Sequence, residues 1–276
     1  MVAVLWSLLG AASYGISDFI GAIAARKSSA WAVAFITTVS AALGTTALAL
    51  TRDGSPTAAH FGWAALAGVG SGLGVAFLYR GLASGRIGVV APISAVCAAA
   101  LPVIVSTLTG EEPSALAWVG MAVALPGIWM VSVEPGASFG GPGVKDGVIA
   151  GLGFGLSFWG LGHVPESAGW WPLVIMNLAS AGAIVLVALA LRQQLVTRTP
   201  SAYLGVLGGL LSGTALVAFV LATSRGLVSI SSVLISLYPA VTILLAVTLL
   251  HERVHRIQQV GLALCAGAVA LVALGG

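Results

Sequence analysis

Acidic side chains inside apolar runs are the residues of this sequence best suited to chemistry, and Asp18 is the sharpest case. It lies in the apolar run from Val2 to Ala25, four to five residues past the midpoint. An ionisable group at membrane depth is costly unless paired or wetted, which makes it a functional candidate. A carboxyl group there can bind a cationic substrate, exchange a proton during transport or hold a counter-ion; the other reading is a hydrated acid neutralised by a neighbour. The neighbour to expect is Arg80, near the end of the third apolar run. First and third membrane helices run in the same direction, so Asp18 and Arg80 share one side of the midplane and an Asp18–Arg80 pair is expected. Taken alone, Arg80 also fits a side chain that snorkels to the interface.

Other polar and aromatic residues fall inside or beside the apolar runs. Tyr14, Trp159, Asn177 and Tyr238 are candidate cavity lining, as are Thr37, Thr38 and Trp129. For Asn177 and the threonines, the alternative is a hydrogen bond to a neighbouring helix. Ser94, Ser232 and Ser236 lie near Pro92 or Pro239, and a membrane proline frees a backbone carbonyl that bends the helix and exposes polar groups. Those serines either contact solute or satisfy the freed carbonyl. His163 and Glu166 follow the sixth run and are expected in water on the opposite membrane face, with pH gating as the functional alternative. The stretches Gly68-V-Gly70-S-Gly72-L-Gly74 and Gly151-L-Gly153-F-Gly155 do not fit a dinucleotide or P-loop pattern and read as close-packing helix faces.

These residues must be positioned by membrane helices. With 59% hydrophobic and 7% charged residues, the chain lacks the polar surface of a soluble globule. Eleven Lys and Arg give a net charge of +3 without the clustered basic face that nucleic acid requires. Cys97 and Cys265 sit in apolar runs without metal-ligand spacing, so no disulfide framework, metal site or cofactor is indicated. The first run is long enough to span and lacks a basic leader, so it reads as a retained helix.

Apolar runs bounded by charges or Pro/Gly clusters place helices at about 3–25, 30–50, 61–83, 87–109, 114–133, 144–163, 171–191, 203–224, 227–250 and 257–274. The longest loops are roughly Glu134 to Gly143 and Arg192 to Ala202, too short for an inserted domain. The chain also repeats itself. Gly68-x-x-Ser71-Gly72 returns as Gly209-x-x-Ser212-Gly213 after 141 positions, and Gly110-Glu111-Glu112 stands as far ahead of His251-Glu252-Arg253. Gly15-x-Ser17 returns as Gly155-x-Ser157, and Ser40-Ala41 as Ser180-Ala181, after 140. Five helices per half is odd, so the halves, 1–135 and 144–276, are expected to be inverted, with a solute site near the midplane where they meet. The fold class expected is all-α integral membrane, ten transmembrane helices as two inverted five-helix repeats.

The phrase SLYPAVTILLAVTLLHER, with Pro239 and then Glu252, resembles the closing motif of the EamA domain in the drug/metabolite transporter superfamily. The first half departs from it, with Ala98 where the motif has proline. The resemblance implies a secondary transporter of the cell membrane that exports metabolites, amino acids or drugs, proton-linked or by facilitated exchange, as a monomer or homodimer. Glu111 and Glu252 match motif positions but fall in surface loops, where capping or loop ordering is expected. Asp18, Arg80, Tyr14, Trp159, Asn177, Tyr238, Ser94 and Ser236 are the substrate or proton-site candidates. Nine Lys and Arg on one side of the helices against Arg52 and Arg225 on the other put both termini outside by the positive-inside rule. The resemblance implies termini inside, and the two expectations conflict. A non-transporting scaffold would share this composition; an integral-membrane enzyme would need a catalytic cluster that the sequence does not contain.

Overall fold

The computed structural model describes residues 1–51, 53–83, 87–133, 142–251 and 255–275, with backbone alone at 79, 82–83, 87–89 and 142. Arg52, Glu252, Arg253 and most of the loop from Glu134 lie outside the described residues. Eleven α-helices account for nearly all of the rest: α1 Val2–Ala25, α2 Ala30–Ala49, α3 Ala58–Ala83, α4 Ile87–Leu108, α5 Ala115–Ser132, α6 Pro142–Leu161, α7 Trp171–Ala190, α8 Leu204–Thr223, α9 Val228–Ile235, α10 Tyr238–Leu250 and α11 Arg256–Gly275. No strand occurs among the described residues.

Local sequence sets the ends. Ser29 and Ser114 cap α2 and α5 by accepting from the amides of Ala32 and Ala117 at 3.4 and 3.1 Å. Gly110 ends α4 at φ 109°, with the Glu111 amide reaching back to the Ser106 carbonyl at 2.9 Å, the wrap that glycine permits. The equivalent position 141 residues later, His251, ends α10 in the same left-handed region at φ 55°.

One element differs from the sequence expectation, and another is a helix where expected but less apolar than its neighbours. The expected helix over 227–250 is broken between Ile235 and Tyr238. Pro239, in the first turn of α10, has no amide to donate and its ring crowds the carbonyl of Ile235, so the helix restarts there. Nine helical segments among the described residues are long and apolar enough to cross a bilayer, with Val228–Leu250 counted as one. The segment left out is α6, whose Lys145, Asp146 and glycines lower its hydropathy. Glycine is useful in α6 because the helix is wedged against α3 and α4.

Close contacts give the helix directions. Gly10 lies against Ala215 while Ser17 donates to the Gly208 carbonyl at 2.8 Å, so α1 and α8 are antiparallel. On α2, Val33 and Thr37 meet Gly205 and Gly209, making α2 and α8 parallel. Ser29 bonds to Gln194 just beyond α7, and Thr45 to Asn177 within it, so α2 and α7 are antiparallel. Gly68 and Gly72 meet Met176 and Ser180 on a parallel α7, whereas Gly70 and Gly81 meet Gly153 and Asp146 on an antiparallel α6. The halves are interleaved: α1 packs on α8 and α3 on α6.

Candidate functional site

A cavity of about 150 Å³ lies at mid-depth between the halves. Helix α1 supplies Tyr14, Ser17 and Asp18, and α6 supplies Phe154, Ser157 and Phe158, each 140 positions on. The correspondence continues through Thr37 with Asn177, Ser71 with Ser212, Val75 with Leu216 and Ala98 with Tyr238, at offsets of 140 or 141. One hollow is thus lined by matching positions of both repeats.

Tyr14 and Asp18 are one helical turn apart and share a face of α1. The Tyr14 ring is 6.5 Å from Phe158 and 6.3 Å from Tyr238, and Ser212 lines the same hollow. Asp18 is exposed to the cavity and forms no ion pair among the described residues. Asn177 donates to the Leu173 carbonyl at 2.9 Å and to Thr45 at 3.4 Å, so it both lines the cavity and ties α7 to α2. Thr37 and Thr38 line it as well.

The cavity is closed at the end carrying the N-terminus of α1. Leu161, Leu173 and Phe219 are fully buried behind Phe158 and Leu216. Beyond them, Arg225 pairs with Glu166 at 2.8 Å, and the Ser55 amide donates to the Ser167 carbonyl at 2.9 Å. Glu111 accepts from the amides of Val228 and Ser229, at 2.7 and 3.0 Å, capping α9 from the other half. The expectation of capping for Glu111 is met, at a helix other than its own. Glu111→Gln keeps one acceptor and turns an amide NH2 toward an N–H. Its expected cost is about 1 kcal/mol. Hydrogen exchange at Val228 and Ser229 should speed up accordingly, and unchanged exchange would remove the cap from the account.

Five candidates are placed elsewhere. Arg80 pairs with Asp146 of α6, not with Asp18: its Nε donates to Asp146 Oδ1 at 3.1 Å, a second guanidinium nitrogen bonds the same oxygen, and the guanidinium lies 4.2 Å over the Phe77 ring. Shared depth on parallel helices does not fix which way a side chain points around the helix, and Arg80 points at α6. Trp159 is about 100° around α6 from Phe158. It packs edge-on against Trp63 at 5.1 Å instead of lining the cavity, with exposed His163 stacked on Trp63 at 4.2 Å. Trp129 is likewise absent from the lining. Ser94 and Ser236 are buried in helix contacts, their hydroxyls without a hydrogen-bond partner among the described residues, because α4 is pressed against Gly151 and Ser236 sits at the α9–α10 break.

Asp146 was not singled out by the sequence. The available signal was an acid beside Lys145 at the start of an apolar run, which reads equally as an interfacial charge. Its side chain is 8% exposed against 38% for Arg80. Arg80→Met therefore strands a buried carboxylate and should cost about 2 kcal/mol in detergent unfolding. The double replacement Arg80→Met, Asp146→Leu should recover most of that loss. A single variant as stable as the parent would show that the pair does not hold α3 to α6.

Comparison with known proteins agrees with this geometry. No curated protein matches the sequence. A solved crystal structure superposes with a TM-score of 0.74 at 19% identity, covering 99% of this chain and 96% of the other, which establishes a shared fold. The model of the EamA-like transporter family matches twice, over residues 1–133 and 142–274. Two consecutive matches spanning nearly the whole chain, on halves that line one cavity with equivalent residues, make this multi-pass membrane protein a member of the EamA-like transporter family, within the drug/metabolite transporter superfamily.

Proposed function

We propose that this protein is a secondary transporter that exports a small organic solute through the cavity around Asp18, alternating the access of that cavity between the two faces of the cell membrane. The observation that supports this most is the lining itself, because a polar hollow shared by matching positions of two repeats can face either side when the repeats rock. Inversion of the halves is supported by the contact directions: α1 opposes α8, α8 parallels α2, α2 opposes α7, α7 parallels α3, and α3 opposes α6. That sequence leaves α6 running against α1. With the broken α9–α10 segment as one crossing and α6 as another, the count is ten.

The most exposed lining group, Asp18, lies toward the end of the bundle that carries Arg26, Lys27 and Arg80. The positive-inside rule makes this end cytoplasmic, so the state described is the loading state of an exporter. Asp18 is the proton or cation site, and Tyr14, Asn177 and Tyr238 are the lining that orients the solute. A scaffold has no need of such a hollow. The test is an efflux screen of cells with and without the protein, followed by flux of the retrieved solute in reconstituted vesicles. Flux that depends on the protein supports the reading, and purified protein that moves no retrieved solute contradicts it.

A further inference from the structure

We infer that the cavity selects an organic cation, an amine or quaternary ammonium on an apolar body about the size of one aromatic ring, over an amino acid or an organic anion. The inference deepens the transporter reading and rests on it. Three observations carry it.

The first is a charge count. Asp18 is the only carboxyl group among the described residues of the lining, and no Lys, Arg or His joins it there. Arg80, the base that could have answered it, is outside the lining and engaged by Asp146. A solute carboxylate would meet hydroxyls and one like charge, an arrangement that rejects it. An ammonium would meet a carboxylate that has no competing ion pair among the described residues.

The second is the ring system beside the acid. Tyr14, one turn from Asp18, lies 6.5 Å from Phe158 and 6.3 Å from Tyr238, and Phe154 lines the same hollow. Aromatic faces within about 6 Å attract alkylammonium heads through the ring quadrupole. Rings backed by a carboxylate bind such a head at both levels.

The third is the asymmetry between the repeats. Where the first half places Tyr14 and Asp18, the second places Phe154 and Phe158. At these matched positions the hollow therefore sets an acid on α1 against two phenyl rings on α6. The polar groups elsewhere in the second half's lining, Ser157, Asn177, Ser180, Ser212 and Tyr238, are uncharged types that offer a carboxylate no counter-ion, so the lining complements an amphiphilic cation rather than a zwitterion. Its volume of about 150 Å³ matches that of an engineered protein cavity that admits benzene, which sets the size of the body.

The experiment is calorimetric titration of the purified full-length protein at pH 7 with four probes sharing one ring: benzylammonium, benzyl alcohol, benzoate and phenylglycine. Benzylammonium is expected to bind about tenfold or more tightly than each of the others, as a charge-assisted contact predicts. Asp18→Asn should remove that advantage and leave benzyl alcohol unchanged. Benzoate or phenylglycine binding as well as benzylammonium, or no binding of benzylammonium, would overturn the inference. The series on the unsubstituted protein decides the matter if the variant does not fold. Selective binding without flux of benzylammonium in vesicles would leave the specificity standing and contradict the transport reading, so the two failures are distinguishable.

Discussion

Asp18→Asn is expected to lower solute flux in reconstituted vesicles by about tenfold to a hundredfold while leaving the yield of folded protein unchanged. The two halves of this expectation have separate grounds. Flux should fall because Asp18 is the only carboxyl group among the described residues of the lining, and on the proposed reading a change to the amide removes the group that would take a cation or a proton without altering shape. Folding should persist because the side chain is exposed to the cavity and holds no ion pair among the described residues. Buried carboxylates such as Asp146 behave in the opposite way, since their removal strands a partner. Normal pH-dependent flux from the asparagine variant would take Asp18 out of the mechanism.

The largest structural effect is expected at two glycines that occupy the same place in the two repeats. A Cβ on Gly68 would lie 2.2 Å from the Met176 carbonyl oxygen, and one on Gly209 would lie 2.2 Å from that of Thr37. Both obstacles are backbone of a neighbouring helix, so no rotamer change relieves them. Each contact joins a helix of one half to a helix of the other, α3 to α7 and α8 to α2. Gly68→Val and Gly209→Val should each cost about 3 kcal/mol or more and reduce the monodisperse fraction after extraction. Gly182→Val is the matched control, because a Cβ there meets nothing within 4 Å. Equal losses at all three positions would show that valine in a helix, not interhelical packing, is responsible.

The parts of this protein legible in its sequence are those that depend on one-dimensional spacing. Run length placed the helices within a few residues, and the offset of 140 to 141 showed the repeat that the cavity lining later displayed pair by pair. Asp18 stood out because a charge within an apolar run has so few acceptable explanations, and Tyr14, Asn177 and Tyr238 also reached the cavity. What failed was the direction of side chains around the helix axis. Trp159 is adjacent in sequence to the lining residue Phe158, and that single step of about 100° turns it out of the cavity and onto Trp63. The partner of Arg80 was missed for the same reason: depth in the membrane was inferable, but the facing helix was not. Pro239 was visible as a helix-bending residue, yet the sequence does not say whether a proline bends a helix or breaks it. Pro92 and Pro102 lie inside the intact α4, while Pro239 begins a new helix.

Single-cysteine labelling tests the central claim, that two oppositely inserted halves share the Asp18 cavity. In a background lacking Cys97 and Cys265, a cysteine replaces Lys27 just beyond α1 or His163 just beyond α6, and a membrane-impermeant thiol reagent is applied from one face at a time. The account predicts that the two positions react from opposite faces. Reaction of both from the same face would mean that α1 and α6 run in one direction, and would contradict it.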